Sequence, residues 1–366
     1  MKVAVIGSGV VGLTIGFQLA RHGFSVTLFD SGQPGRESSW AGAGILPPAE
    51  SCESKHASDH LRRRSNQLHA ELSQELLEFT GIDNEFRRCG GIYLASTPGE
   101  AASLMGISHL WQKQGITCEP LDRSSLMELE PELASWCGAS FRQAFFCPEE
   151  CQIRNPRHLK ALEAGCRKLG VSFEFEHPVE KIHPLPSRVQ LMARGNRHEF
   201  DSVCVACGAW SSSLLGNLSS CQVVPVKGHM LLYKFPRPLF QRIINEGNRY
   251  LVPRMDGHLL VGSSEEESGF DKSKSNAELS RLLKFATDIS KELCEQRVID
   301  SWTGLRPMSY DGLPYVGQHS EHENLFVATG HFRAGLQLST GTADIICRMM
   351  LKQPVDFDTF AIRPER

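Results

Sequence analysis

The first residues whose types and spacing could do chemistry lie near the N-terminus. Gly7, Gly9 and Gly12 follow a short apolar run at the spacing Gly-x-Gly-x-x-Gly, and Asp30 stands 18 residues after the last of them. In this pattern the first glycine permits a tight turn, the second lets backbone amides approach a pyrophosphate, and the third lets a helix pack closely on a strand. An acid at the later position accepts hydrogen bonds from ribose hydroxyls and disfavours a 2′-phosphate. The pattern therefore predicts a dinucleotide site.

The elements that would position these residues follow in the required order. Residues 2–6 and 26–29 are short apolar runs that predict two buried parallel strands. Between them, apolar residues recur at helical spacing from Val11 to Leu19, and Gly23 ends the helix. The N-terminus of that helix supplies partial positive charge for phosphates. The unit predicts dinucleotide binding, although it does not by itself separate FAD from NAD.

Four further segments separate these two cofactors. They are residues 38–45 (SSWAGAGI), 201–210 (DSVCVACGAW), 304–317 (containing Gly-Leu-Arg-Pro and Asp-Gly-Leu-Pro-Tyr-Val-Gly) and 329–335 (TGHFRAG). Taken together and in this order, they resemble the D-amino-acid oxidase superfamily of flavoproteins, and most closely its glycine oxidase branch. The resemblance covers the whole chain and implies an enzyme that uses FAD.

The glycine motif and the resemblance together give a set of expected FAD-binding residues, and no metal site is expected. Related sarcosine oxidases attach the flavin to a cysteine, but Met308 and Ser309 occupy that neighbourhood here, so we expect dissociable FAD. We interpret His331 as a residue that positions the backbone rather than as a general base. The set comprises Gly7, Gly9, Val10, Val11, Gly12, Asp30, Ser31, Ser38, Ser39, Ala43, Gly44, Ile45, Val179, Gly208, Trp210, Gly330, His331, Phe332, Arg333, Ala334, Gly335, Leu336 and Gln337.

The resemblance also assigns the substrate end of the site. Arg306 would clamp the substrate carboxylate, because a guanidinium fork matches two carboxylate oxygens and stays charged. Tyr250 would share that carboxylate through its hydroxyl, and Arg333 would line the pocket beside the flavin. The implied reaction is oxidative deamination of glycine or a similar small D- or N-methyl amino acid, with hydride passing to flavin N5. Oxygen would reoxidise the flavin and give hydrogen peroxide, and the imine can feed thiamine thiazole synthesis.

Two residues depart from the pattern of the glycine oxidase branch. Asp30 stands where most relatives carry the longer glutamate, which would alter the fit to the ribose slightly. Glu265 falls where close relatives place an apolar pocket residue. A carboxylate in the pocket would favour a more polar or cationic substrate, whereas a side chain turned outward with Glu266 and Glu267 would have no such effect. Both interpretations stay open, because burying an unpaired carboxylate is costly.

The pattern of elements predicts an α/β fold: a Rossmann-like FAD-binding domain with a second, antiparallel-sheet substrate-binding domain, as in D-amino-acid oxidases. Strands are expected near 91–94, 229–233 and 258–262 in the second domain. Asn155 is expected to cap a helix that begins with Pro156. The FAD-binding domain is expected to comprise residues 1–45, 140–225 and 300–366, and the substrate-binding domain residues 46–139 and 226–299.

Composition limits the classes of partner. Lysine and arginine number 39 against 42 acidic residues, a net charge of −3, which argues against nucleic acid. The sequence contains no run of 18 apolar residues, so no membrane-spanning helix is predicted. A cytoplasmic location is expected. The twelve cysteines are expected to be reduced thiols, because Cys204 and Cys207 should face opposite sides of a strand. The expected partners are a small amino acid and oxygen, and a homo-oligomer is compatible with the sequence.

Three other functions stay open at this point. A D-amino-acid dehydrogenase that passes electrons to a quinone would share these residues, since oxygen access to a flavin depends on the shape of a tunnel. A non-catalytic flavin-bound interaction protein would need no carboxylate clamp, so Arg306, Tyr250 and Arg333 argue against it. An NAD dehydrogenase is disfavoured by the flavin-type segments.

Overall fold

Apolar runs along the chain form two large sheets and the helices that cover them. The computed structural model describes residues 1–49 and 56–366. Its strands are β1 (Lys2–Ile6), β2 (Ser25–Phe29), β3 (Ile45–Leu46), β4 (Arg87–Arg88), β5 (Gly91–Ala95), β6 (Glu119–Leu121), β7 (Gln143–Cys147), β8 (Cys151–Gln152), β9 (Ser172–Glu174), β10 (Val179–Leu185), β11 (Arg188–Ala193), β12 (Asn196–Phe200), β13 (Ser202–Val205), β14 (Val223–Lys234), β15 (Ile243–Glu246), β16 (Arg249–Pro253), β17 (His258–Gly262), β18 (Val298–Ser309), β19 (Tyr315–Gln318) and β20 (Leu325–Thr329).

The helices differ widely in length, and the longest follows the segment that is not described. They are α1 (Val10–Arg21), α2 (Ser38–Ala41), α3 (Ala57–Thr80), α4 (Pro98–Lys113), α5 (Arg123–Leu129), α6 (Ala134–Ser140), α7 (Asn155–Lys168), α8 (Ser211–Leu215), α9 (Asn276–Ile289), α10 (Glu292–Glu295) and α11 (Gly335–Met350), with 3₁₀ turns at Pro131–Leu133, Gly208–Trp210, Gly216–Leu218, Phe332–Ala334 and Phe360–Ile362. Within the two described ranges, no helix is long and apolar enough to cross a membrane.

A six-stranded sheet forms the first layer, in the order β19-β20-β13-β1-β2-β9. All pairs except β19–β20 are parallel, and β13 and β20 are buried along their whole length, as continuous apolar strands covered on both faces should be. Helices α1, α3, α7 and α11 cover one face, and the small sheet β10-β11-β12 covers the other. The predicted strand–helix–strand unit and the α/β fold class are confirmed.

An eight-stranded sheet forms the second layer, in the order β18-β14-β17-β16-β15-β5-β7-β6. Its pairs are antiparallel except for β15 and β5. One face packs on α6 and α9, through residues such as Leu231, Leu251 and Phe285. The opposite face carries Met230 and Tyr250. The three strands predicted near 91–94, 229–233 and 258–262 are β5, part of β14 and β17.

The packing differs from the predicted domain boundaries at three places. Strand β7, expected in the FAD-binding part, pairs with β5 in the eight-stranded sheet, and β18 pairs there with β14 along its full length. Helix α3, expected in the substrate-binding part, packs instead on the helices of the six-stranded sheet, where Leu61, Leu72 and Leu76 join their core. These three elements thus pack with the other layer, and the domain boundaries stay a prediction.

The predicted helix cap at Asn155 is wrong. Helix α7 begins at Asn155 itself, and no side chain of the described residues caps its first turn. Asn155 Nδ2 donates to the carbonyl oxygen of Ser39 at 2.7 Å, whereas Oδ1, the atom that a cap would use, accepts from no amide of the helix. The two cysteines of the CxxC pattern behave as predicted, since Cys204 and Cys207 pack in different apolar clusters on the two faces of the six-stranded sheet.

A buried carboxylate lies against the centre of the eight-stranded sheet. Glu150 is fully buried and accepts hydrogen bonds from the Tyr93 hydroxyl and from Asn245 Nδ2, the latter at 3.1 Å. Gly91 makes room for it, because a Cβ there would lie 2.5 Å from the Glu150 carboxyl carbon. Burial raises the pKa of Glu150 to about 7.

This pKa predicts a pH dependence of stability. A carboxyl whose folded-state pKa is raised stabilises the fold fully below its ordinary value near 4.5, and that contribution is lost as pH rises through about 7. In Glu150→Gln the side chain stays neutral, so between pH 5 and 8 the variant should lose roughly 2–3 kcal/mol less unfolding free energy than the wild type. Thermal unfolding across this range measures the difference. Glu149→Gln, on the surface beside Arg88, is the control. Parallel pH profiles for Glu150→Gln and the wild type would contradict the prediction.

Candidate active site

One large cavity, about 990 Å³ in volume, lies between the two sheets. Its walls come from the carboxyl ends of β1, β2 and β13, from the loop after β2, and from one face of the eight-stranded sheet. Parallel strands that end at one edge of a sheet create a crevice of this kind, where ligands of α/β proteins bind.

The glycine motif forms the wall at the edge of the six-stranded sheet. Gly7 has φ +101°, and a Cβ there would lie 2.4 Å from the carbonyl oxygen of Ala206. Helix α1 begins at Val10, whose amide donates to Ser39 Oγ at 2.9 Å, and its first turn contains no acidic residue. Gly12 does not line the cavity. A Cβ there would lie 1.8 Å from the carbonyl oxygen of Gly7, so its role is close packing.

The carboxylate of Asp30 lines the same cavity directly after β2. Its Oδ2 accepts from the amide and hydroxyl of Ser8 at 2.7 and 2.6 Å, and its Oδ1 accepts from the Gly32 amide at 3.0 Å. These three bonds fix its orientation, and a carboxylate has acceptor capacity for about one more donor. The arrangement suits a ribose hydroxyl.

The segment of residues 38–45 is held against the eight-stranded sheet by two donors. Trp302 Nε1 donates to the carbonyl oxygen of Ala41 at 3.0 Å, and Arg254 Nη2 donates to that of Ala43 at 2.7 Å. Arg254 is buried, and burial lowers its pKa to about 10. Gly44, with φ +76°, is confined further, since a Cβ there would lie 1.8 Å from the carbonyl oxygen of Ile153. The segment is therefore rigid where it faces the cavity.

A second helix also points its N-terminus into the cavity. The turn Phe332–Ala334 leads into α11, whose first turn holds no acid and whose amides no side chain caps. Phe332 has φ +48°, an uncommon backbone for a residue with a side chain. His331 is buried, its Nε2 lies 2.9 Å from Thr342 Oγ1, and burial lowers its pKa to about 4. A neutral, bonded imidazole agrees with a positioning role.

The structure brings nearly all of the expected FAD-binding residues together. All of them line the cavity except Gly12 and Gly330, which lie behind its wall. Gly330, with φ +77°, packs against the ring of Tyr315. Several other lining residues were not assigned to the site from the sequence: Gln33, Arg36, Asn155, His177, Cys207 and Met230.

The cavity fits a flavin dinucleotide. Two helix N-termini without acidic residues in their first turns suit anionic groups, Asp30 suits a ribose, and glycines lie where a backbone must approach closely. Asn155 Oδ1 is a buried acceptor with no partner in the described residues, and Asn155 lines the cavity. Buried acceptors are nearly always bonded, so the site favours a ligand with a donor here.

Arg306 lies at the other end of the cavity, across β14. Its guanidinium covers Gly228, where a Cβ would lie 2.2 to 2.5 Å from three of its atoms. Nη2 donates to Ser263 Oγ at 2.7 Å and Nη1 to the carbonyl oxygen of Ser264 at 3.0 Å. Burial lowers the pKa of Arg306, and the nearby Tyr250 hydroxyl opposes that shift. The charged guanidinium of Arg306 is therefore held by neutral hydrogen-bond acceptors.

Arg333 lies beside Arg306 and forms an ion pair. Its Nε lies 2.8 Å from Glu265 Oε1, while its Nη2 donates to the carbonyl oxygen of Asn248 at 3.1 Å and to Ser263 Oγ at 3.4 Å. The Glu265 side chain is 35% exposed. Glu265 does not itself line the cavity, but it pairs with Arg333, which does.

Residues behind the site hold the segment that contacts both arginines. The buried His229 has Nδ1 at 2.8 Å from Ser264 Oγ, and Glu266 Oε2 lies 3.3 Å from the same ring nitrogen. Lys227 is also buried, and its backbone amide and carbonyl groups bond to those of Glu266. Its Nζ donates to Asp271 Oδ2 at 3.1 Å. These contacts fix the positions of Ser263 and Ser264 from the far side of the sheet.

Comparison with known proteins agrees with this geometry. The family model described as FAD dependent oxidoreductase (DAO) matches residues 2–349. Glycine oxidase of Pseudomonas aeruginosa is 33% identical over 353 residues, which cover 95% of this chain and 94% of that protein. The crystal structure of glycine oxidase from Geobacillus kaustophilus has a TM-score of 0.93 at 32% identity, covering 100% of this chain and 98% of that one.

A longer relative shares the same region. The bifunctional protein ThiO/ThiG of Trichormus variabilis is 28% identical over 97% of this chain, which spans 53% of that protein. The predicted resemblance is confirmed, and the NAD-dependent and non-catalytic alternatives are not favoured. The chain belongs to the DAO family of FAD-dependent oxidoreductases.

Proposed function

We propose that this protein oxidises glycine or a similar small amino acid at its amine carbon. The observation that carries the proposal is the half-buried fork of Arg306, which lies in the cavity wall, is bonded to neutral acceptors and has no carboxylate partner among the described residues. A cation in that state favours an anionic ligand, and a planar fork favours a carboxylate. The named relatives, which are glycine oxidases, support the same choice.

The cofactor would be held mainly by backbone groups. The amides after Gly9 would contact the pyrophosphate, Asp30 the ribose, and the segment of residues 38–45 and the turn after His331 the flavin ring. When bound, FAD supplies an acceptor for the hydride of the substrate. The protein contributes position and charge, and Trp302 and Arg254 contribute by fixing the segment of residues 38–45.

At the substrate end, Arg306 would orient the carboxylate and Tyr250 would donate a hydrogen bond to it. Orientation of this kind accelerates a transfer step by making it effectively unimolecular. The positive charge of Arg306 and Arg333 also lowers the pKa of a nearby substrate ammonium, which favours the neutral amine that the reaction requires. The proton would leave to solvent, since His331 is neutral and already bonded to Thr342.

The proposed overall reaction converts the amino acid to an imine and passes two electrons to oxygen, which becomes hydrogen peroxide. Water then hydrolyses the imine, so that glycine gives glyoxylate and ammonia. Peroxide formation without added quinone tests oxygen as the acceptor. The ThiO/ThiG relative supports our expectation that the imine can serve thiamine thiazole synthesis. Eleven free cysteines in the described ranges support a reducing cytoplasm as the location.

The first prediction concerns the cofactor. The purified protein should be yellow, and acid precipitation should release FAD into the supernatant. Asp30→Asn should weaken FAD binding by roughly ten- to a hundredfold, because a charged acceptor becomes an amide. Flavin fluorescence quenching measures the dissociation constant. Asp201→Asn, which alters a carboxylate bonded to the Lys2 amide, is the matched control. Flavin that stays with the precipitated polypeptide would overturn the non-covalent assignment.

The second prediction concerns the carboxylate clamp. Arg306→Ala should lower kcat/KM for the amino acid by roughly ten- to several-hundredfold while flavin content stays normal. Arg306→Lys should restore only part of the loss, because a point charge cannot reproduce the fork. Steady-state kinetics with the amino acid and with its carboxyl-free amine separate the effects, and Arg188→Ala on the surface is the control. Equal losses on both substrates would exclude the clamp.

The third prediction concerns the position of that clamp. Gly228→Ala places a methyl group within 2.5 Å of the Arg306 guanidinium carbon, so the fork must move. We expect KM to rise about tenfold at normal flavin content, a change of about 1.4 kcal/mol. The double variant with Arg306→Ala should be no worse than Arg306→Ala alone. Gly106→Ala, where a Cβ meets open space, is the control. Additive losses in the double variant would show that Gly228 acts elsewhere.

A further inference from the structure

We propose that Glu265 is a specificity residue that restricts the site to substrates with a single carboxylate. The inference rests on the proposed oxidation of small amino acids and deepens it. Glu265 Oε1 lies 2.8 Å from Arg333 Nε. The carboxylate therefore occupies the second cation of the site, which is the guanidinium of Arg333. Dicarboxylic substrates are therefore excluded by a contact within the protein, while monocarboxylic ones use Arg306.

The two guanidiniums are close neighbours. Both reach Ser263 Oγ, Arg306 at 2.7 Å and Arg333 at 3.4 Å, and burial together with the charge of Arg333 lowers the pKa of Arg306. A ligand with two carboxylates on adjacent carbons, or with one carbon between them, could span such a pair. The site would then bind dianions well, unless a protein carboxylate competed for one cation.

Glu265 is the carboxylate that competes. The neighbouring Glu266 is turned to Lys227 and His229, and Glu246 is paired with Arg249 at 3.3 Å. Among the described residues, Glu265 alone forms an ion pair with Arg333, and Arg306 forms none with a carboxylate. The two guanidiniums and the carboxylate of Glu265 together carry a charge of +1, which matches one substrate carboxylate.

The partial exposure of Glu265 fits this role. A carboxylate that is 35% exposed retains solvation, so its place beside the cavity does not carry the cost of full burial. A second carboxylate of a ligand would have to displace it from Arg333 and would meet its charge at short range. Glutamine at this position keeps the shape and a carbonyl acceptor for Arg333, but it removes the charge.

Binding of two isosteric anions to the FAD-loaded protein tests the proposal. Malonate carries two carboxylates, and malonamate carries one carboxylate and one amide. Perturbation of the flavin absorbance gives both dissociation constants without turnover. The wild type should prefer malonamate, and Glu265→Gln should shift the ratio towards malonate by roughly ten- to a hundredfold. Glu267→Gln, an exposed neighbour, should leave the ratio unchanged.

A double variant identifies the cation involved. If Glu265 acts by occupying Arg333, then Glu265→Gln with Arg333→Gln should lose the gain in malonate affinity. Glu265→Ser provides a second replacement, should the glutamine variant bind FAD poorly. A malonate-to-malonamate ratio that does not move in any loaded Glu265 variant overturns the proposal. So does a gain that persists without Arg333.

Kinetics separate this inference from the proposed function. In Glu265→Gln, kcat/KM for D-aspartate relative to D-asparagine should rise by a similar factor. If the FAD-loaded wild type oxidised no small amino acid, the proposed function would fail, yet the two binding constants would still decide the role of Glu265. If the wild type oxidised glycine and the variant showed no shift in either ratio, only this inference would fail.

Discussion

The site depends on the half-buried guanidinium of Arg306, which lies in a wall made of neutral groups. A charge that is partly withdrawn from water without a counterion is costly unless its hydrogen bonds are satisfied, and here a hydroxyl and a carbonyl of the segment after β17 accept from it. That segment must therefore be fixed, and His229 and Lys227 fix it from the opposite face of the sheet. Gly228 completes the arrangement, because only a residue without a side chain lets the fork lie flat on β14.

A second guanidinium bonded to neutral acceptors lies where the two sheets meet. Arg254 is buried, yet it donates to a backbone carbonyl and an amide oxygen rather than to a carboxylate. Together with Trp302 it ties residues 38–45, which follow the six-stranded sheet in the chain, to the eight-stranded sheet. The cavity thus has one wall from each sheet, and the relative position of the two walls is set by hydrogen bonds to main-chain oxygens.

The sequence predicted those features whose cause is local. The glycine motif, Asp30 and the turn before α11 each lie within a single stretch of chain. Their residue types and spacing are enough to indicate a tight turn, a close backbone approach or an acceptor at a strand end. The sequence did not predict the roles of Gly228, Ser263 or Arg254, because the residues that they contact in the site lie 30 or more positions away along the chain. Asn155 shows the limit clearly, since its side chain caps no helix and instead donates to the distant carbonyl oxygen of Ser39. Helix α3 was likewise placed by its packing rather than by its position in the chain.

Two carboxylates close to the cavity have opposite surroundings. Glu150 is fully buried and bonded to Tyr93 and Asn245, both of which line the cavity, and burial raises its pKa to about 7. Glu265 keeps solvent contact and pairs with Arg333. Burial disfavours the charged form of Glu150 and so reduces what it subtracts from the positive field of the arginines. Glu265 instead pairs directly with one of the two guanidiniums, so the charge offered to a substrate depends mainly on this ion pair beside the cavity.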